Sequence, residues 1–130
     1  MATIKEVQVT IDCADPVRLA GFWCEVLGYV MPSEPVEDGV QYFACTDPSG
    51  KGPRLLFQRV PEGKAVKNRV HLDVRAGTGL VGEERLAVLK AEAERLVALG
   101  AVCDRVLLAD EENESCINMR DIEGNEFCLD

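Results

Sequence analysis

One order of residue patterns occurs twice in this chain, and that duplication restricts its fold more than any other feature. In the first half an alternating strand, Val7-Gln8-Val9-Thr10-Ile11-Asp12, leads into a helix ending at Leu27-Gly28. A β-rich stretch follows around the turn Asp47-Pro48-Ser49-Gly50. In the second half Val70-His71-Leu72-Asp73-Val74-Arg75 opens the unit, Leu99-Gly100 closes the helix, and Asp121-Ile122-Glu123-Gly124 makes the turn. Half-units of this size bury too little apolar surface to stand alone and are expected to pack together. Two curved half-sheets would leave a cleft, the natural place for a ligand.

At 130 residues, 47% of them hydrophobic, the chain is expected to form one domain with its own core. The boundaries read as module one over 4–60, a linker over 61–68 and module two over 69–130. A net charge of −9 argues against nucleic acid and anionic membrane surfaces, which both demand clustered cations. No apolar run approaches the roughly 20 residues of a membrane helix, and the polar start does not read as a signal peptide. The expected address is the cytoplasm. Six cysteines, none in a zinc-type spacing, read as reduced thiols, mostly in the core.

Within module one, Asp15-Pro16 starts a helix: an aspartate caps it and proline fills the first turn, where no N–H is needed. Leu19, Ala20, Phe22, Trp23, Val26 and Leu27 form its apolar stripe. A strand and loop are expected over 29–35, then strands over 41–46 and 54–60. In module two a helix is expected over 83–99, with Leu86, Leu89, Ala93, Leu96 and Val97 inward. Strands over 101–107, 115–120 and 125–130 complete it. The acidic stretch 110–114 lacks the spacing of a calcium loop and reads as a solvated hairpin connection.

His71 is the only histidine, so imidazole acid–base chemistry can fall nowhere else. Alternation with Val70, Leu72 and Val74 turns it away from the core and towards the cleft. Asp73 shares that face, and Glu126 shares a face with Cys128 on the last strand. A carboxyl buried at Glu126 would have a raised pKa and could act as a general base.

The segments Val9–Pro16, Phe22-Trp23, Val26–Tyr29, Leu55–Glu62, Val70–Val74, Ala93–Ala101 and Asp121–Leu129 together resemble the glyoxalase/bleomycin-resistance/extradiol-dioxygenase superfamily, the vicinal oxygen chelate fold, in its glyoxalase-like branch. The resemblance implies an α+β fold: two tandem βαβββ modules forming a half-open barrel with the helices outside. Metal-using members place one ligand on the first and last strand of each module. Carried over, these positions fall on Gln8, on Gln58 (or Leu56 if the turn gap lies elsewhere), on His71 and on Cys128. Thr10 then matches Asp73.

That donor set is poorer than the His and Glu usual for such ions, so no cofactor is certain and a divalent metal ion stays open. The implied function is binding of a modest organic metabolite, with proton abstraction next to a carbonyl by His71 or Glu126. Gln8, Thr10, Gln58, Asp73 and Cys128 would line the site. The alternative is a non-catalytic, ligand-sequestering protein like those of bleomycin resistance. A homodimer is the expected assembly.

Overall fold

The computed structural model describes residues 1–130 and divides them into two compact units, Met1–Gly63 and Lys64–Asp130. The fold is α+β, with one small sheet and one helix in each unit and no closed barrel. The first unit runs β1 (Val9–Cys13), α1 (Pro16–Leu27), β2 (Tyr42–Cys45) and β3 (Leu55–Arg59). The second runs β4 (Leu72–Val74), α2 (Gly82–Ala98), β5 (Val102–Leu107), β6 (Cys116–Arg120) and β7 (Glu126–Leu129).

The sheet orders are β1-β3-β2 and β4-β7-β6-β5. In each unit the first strand pairs parallel to the last, which pairs antiparallel to the one before it. The second unit is therefore a full βαβββ module. The first keeps the order, but the strand expected within 29–35 shrinks to a single bridge between Val30 and Thr46. Pro32 and Pro35 have no N–H to give a ladder, so pairing stops there.

Each helix covers one face of its own sheet. The Asp15 side chain caps α1 by accepting from the Arg18 N–H at 3.3 Å, and the Gly28 N–H returns to the Cys24 carbonyl. Leu19, Ala20, Phe22 and Trp23 are buried with Leu55, Phe57, Ala44 and Cys45 of the sheet. Phe22 and Trp23 meet edge to face, 6.0 Å between ring centres. Cys24 and Cys45 are hydrogen-bonded thiols in this core, and burial pushes Cys45 up to about 12.

Helix α2 has no side-chain cap of its own at Val81; the Gly82 N–H instead meets the Glu114 carboxylate at 3.4 Å. Leu89, Ala93 and Leu96 bury against Ile117, Met119, Phe127 and Leu129. Val97, expected inward, is exposed, because it lies one position past the Leu89–Ala93–Leu96 stripe.

The duplicated turns are built by one device. Asp47 accepts from the Ser49 N–H, the Ser49 hydroxyl and the Gly52 N–H, each at 2.7 Å. Asp121 accepts from the Glu123 and Asn125 N–H groups at 2.9 and 3.0 Å. Gly50 and Gly124 end the turns at φ 75° and 87°, a conformation that costs other residues a Cβ clash. Beside the first turn, Gly52 lies so close to the Tyr29 hydroxyl that a Cβ would sit 2.2 Å from it.

Candidate functional site

Strand alternation gives the second sheet one apolar and one polar face. Leu72, Val74, Ile117, Met119, Phe127 and Leu129 point to the α2 side, half-buried or buried. The residues between them, Asp73, Cys116, Asn118, Arg120, Glu126 and Cys128, take the other face. Pairing sets Asp73 opposite Cys128 and Cys128 opposite Asn118.

His71 stands just ahead of β4, and its Nε2 lies 3.2 Å from Asp73 Oδ1. Both side chains are a little under half exposed, so the pair is reachable by a solute and still fixed in orientation. The Cys128 thiol donates to Asn118 Oδ1 at 3.2 Å. Burial, and then the negative field of Asp73, pushes that thiol up to about 11, so it is protonated at neutral pH. Donor atoms of His71, Asp73 and Cys128 all lie within 4.8 Å of one another.

Glu126 differs from expectation. Burial does pull its carboxyl upward, but the Asn68 and Glu126 N–H groups and Lys64 outweigh that and hold it below the usual range. Its Oε2 accepts from the Asn68 N–H at 3.0 Å and lies 3.2 Å from Lys64 Nζ. It is thus an ionised, paired carboxylate tying residues 64–68 to β7, and the raised-pKa base expected at this position is not found. Val70, expected to face the core, is 79% exposed, because pairing with β7 begins only at Leu72.

In the first unit Gln8 donates to the Thr10 hydroxyl at 3.3 Å and accepts from Arg54 Nη1 at 2.5 Å. Gln58 is half-buried on β3, opposite Asp12 and Tyr42. The register bears on the matching of the two halves. His71 and Cys128 stand diagonally, since Cys128 pairs with Asp73. The same diagonal in the first sheet joins Thr10 to Gln58, or Gln8 to Leu56, but never Gln8 to Gln58.

Aligning the halves on the ends of their parallel ladders gives one matching. Val60 N–H donates to the Cys13 carbonyl as Asp130 N–H donates to that of Val74, so Cys13 matches Val74. Thr10 therefore matches His71, Asp12 matches Asp73, and Gln58 matches Cys128. The signal was present in Val9-Thr10-Ile11-Asp12 against Val70-His71-Leu72-Asp73.

The structure thus brings together His71, Asp73 and Cys128, adds Asn118, and leaves Gln8 to Arg54. Asn118 is readable in the sequence as the middle of the polar alternation Cys116, Asn118, Arg120. Arg120, the last of these, is bound through Nε and Nη2 to Asp104 of β5 at 2.8–3.0 Å.

The four family ligand positions expected from the resemblance, Gln8, Gln58, His71 and Cys128, offer two amides, an imidazole and a protonated thiol. That set does not fit a hard divalent ion. The His71–Asp73–Cys128 cluster shares two residues with that set and adds a carboxylate, giving imidazole, carboxylate and thiol donors of the types that suit a borderline cation.

Two units with the strand order of βαβββ modules, their last strands paired parallel to their first, define a protein of the vicinal oxygen chelate class. The chain belongs to the glyoxalase-like domain family, whose model matches residues 8–129. Among solved structures it is similar to a glyoxalase/bleomycin resistance protein/dioxygenase family enzyme from Burkholderia phytofirmans PsJN. That likeness has 14% identity and a TM-score of 0.69 over 94% of each chain. It is similar to a variant of the fosfomycin resistance protein FosX from Listeria monocytogenes, solved with Mn(II) and dihydroxypropylphosphonic acid. There the identity is 14% and the TM-score 0.69, over 98% of this chain and 90% of that one. A Bacillus cereus structure described as a possible glyoxalase matches at 15% identity and TM-score 0.65 over 98% of both chains. No curated protein matches the chain.

Proposed function

We propose that this protein binds a modest organic metabolite at the polar face of the second sheet and moves a proton next to a carbonyl in it. The observation that carries this is the His71–Asp73 pair, 3.2 Å apart, exposed to a solute and flanked by the Cys128–Asn118 hydrogen bond. In this reading His71 is the base, and Asp73 holds its ring and supports the imidazolium that forms. Asn118 and the neutral Cys128 thiol contact polar atoms of the ligand. Glu126 is a positioning carboxylate.

A borderline divalent ion held by His71, Asp73 and Cys128 would supply polarisation of a carbonyl oxygen. Zinc titration monitored by proton release reads that occupancy, since a protonated Cys128 must lose its proton to ligate.

The test is exchange of α-hydrogens of 2-oxo acids and 2-hydroxy ketones in deuterated water, followed by proton NMR. The parent protein is expected to exchange one member of the panel well above buffer. H71A should lower that rate by about 100-fold or more, and D73N by less. One observation favours a second reading, sequestration without turnover: the matching positions in the first unit, Thr10 and Gln58, are neutral and weakly basic. Saturable thermal stabilisation by a ligand with no exchange would establish that reading instead. Neither exchange nor stabilisation would overturn both.

Two further parts of the proposal concern context. The exposed β5 edge, with Val102 and Val106 on it, supports pairing of two copies, which sedimentation would read. Unbridged cysteines support a reducing, cytoplasmic setting. No helix is long and apolar enough to cross a membrane.

A further inference from the structure

Of the carboxylates around the polar face of the second sheet, Asp73 alone has no cation. Asp130 Oδ2 lies 2.9 Å from Arg75 Nη1, and Glu126 Oε2 lies 3.2 Å from Lys64 Nζ. Both oxygens of Asp104 are held by Arg120 at 2.8–3.0 Å. Asp73 meets only His71, at 3.2 Å, and an imidazole that is to take up a proton begins neutral. A full negative charge therefore stays on the face, on a side chain a little under half exposed.

The thiols beside it already feel that charge. On Cys128, which pairs with Asp73, burial acts most, then Asp73, Cys116 and Asp130; the one opposing cation, exposed Lys67, acts least. On Cys116, Asp130 and Asp73 both act more strongly than Arg85 or Arg105.

Two hydrogen-bonding groups of the face are unspent. Asp73 turns Oδ1 to His71 Nε2, which leaves Oδ2 to accept and makes Nδ1 the basic ring nitrogen. Asn118 accepts from the Cys128 thiol on Oδ1, which leaves its Nδ2 hydrogens to donate. Asp73 and Asn118 flank Cys128 on either side. Strands lie about 4.8 Å apart, so the two backbones stand roughly 10 Å from each other. Side chains of their length leave room between them for a few heavy atoms.

We propose that the substrate of this face is a small amino ketone, with an ammonium group one carbon away from its carbonyl. The inference rests on the proton-transfer reading given above and adds the charge that the substrate bears. The ammonium donates to Asp73 Oδ2, and the carbonyl oxygen accepts from Asn118 Nδ2. His71 Nδ1 takes a hydrogen from the carbon between them. The C–H electron pair becomes the C=C bond of an enolate, whose oxygen stays on Asn118, and return of a proton to that carbon completes the exchange. A carboxylate in place of the ammonium faces Asp73 and is repelled.

The experiment compares hydrogen exchange in deuterated water for aminoacetone, hydroxyacetone and pyruvate, slightly below neutral pH and under nitrogen. Each rate is divided by the rate that free imidazole gives with the same compound. The normalised rate should fall about fivefold from aminoacetone to hydroxyacetone, and about fivefold again to pyruvate. D73N should bring the three within about twofold of one another, whatever it does to the rates themselves. K67Q, which removes an opposing cation, should keep the order or widen it. Pyruvate or hydroxyacetone in first place would overturn the inference and leave the proton-transfer reading standing; an order unchanged in D73N would overturn it too. The parent protein alone gives the order, so the test survives a D73N that does not fold. Exchange of none of the three would sink the proton-transfer reading, and binding then decides the charge preference. The Asn118 side-chain amide should still shift saturably in NMR with aminoacetone and not with pyruvate. No shift, or a shift with pyruvate instead, would overturn the inference.

Discussion

In the first unit, the sheet face turned from the helix carries Thr10, Asp12, Gln58 and Tyr42; in the second, the matching positions carry His71, Asp73, Cys128 and Asn118. Beneath these faces the two units use the same parts. Phe57 and Phe127 fill equivalent core positions, and the Asp47 and Asp121 turns are wired alike. The aspartate stays at one matching position while its strand neighbour differs, threonine in one unit and the sole imidazole in the other. A duplicated scaffold preserves its packing residues and lets the open face diverge, because packing tolerates little change and a solvated face tolerates much.

That comparison can be strained where the units should behave alike. F57A and F127A should be the most damaging changes, each costing about 3–5 kcal/mol in denaturant unfolding. A large difference between the two would break the claim of equivalent cores. D121A should follow at about 2–3 kcal/mol, since it strips a buried acceptor from several N–H groups. D47A should cost less, because its turn is open to water and the N–H groups it releases can be hydrated.

The open faces should differ in their response to pH. The Cys128 thiol is raised from 9.0 to about 11. Below pH 9 it is protonated folded or unfolded, and its contribution to stability is fully present. As the pH climbs from about 9 to about 11, only the unfolded chain gives up its proton, and stability falls. C128S should flatten that part of the curve in urea titrations between pH 8 and 11, and a curve as steep as the parent's would rule Cys128 out as its source. Buried Cys45, raised still further, supplies an alkaline loss that persists in C128S. The smallest effect belongs to Glu126, whose lowered pKa contributes stability above the ordinary carboxylate range and loses it as acid protonates the folded state. E126Q should remove about 1 kcal/mol or less, visible as a weaker acid dependence.

The order of elements was legible because periodicity and turn chemistry are local. Asp15-Pro16, Leu27-Gly28 and the two Asp-x-x-Gly turns stand where the sequence places them. Of the strand and loop expected over 29–35, the strand is only the Val30 bridge, because Pro32 and Pro35 have no N–H to extend the pairing. The site was legible only in part. Polar alternation was enough to put His71 and Asp73 on one face, but matching the halves needed strand register, which the sequence leaves ambiguous by two residues. Glu126 misled because its partners, Lys64 and Asn68, come from a connection that has no periodicity to read.

The phenol of Tyr29 packed over Gly52 bears on how this protein can be diversified. A library randomised along the chain should find position 52 restrictive, since alanine there would have to push the Tyr29 phenol oxygen aside. Gly63, whose added Cβ meets nothing within 4 Å, should accept most residues. New loop sequences for altering recognition are therefore better inserted near the junction of the units than in the 47–53 turn.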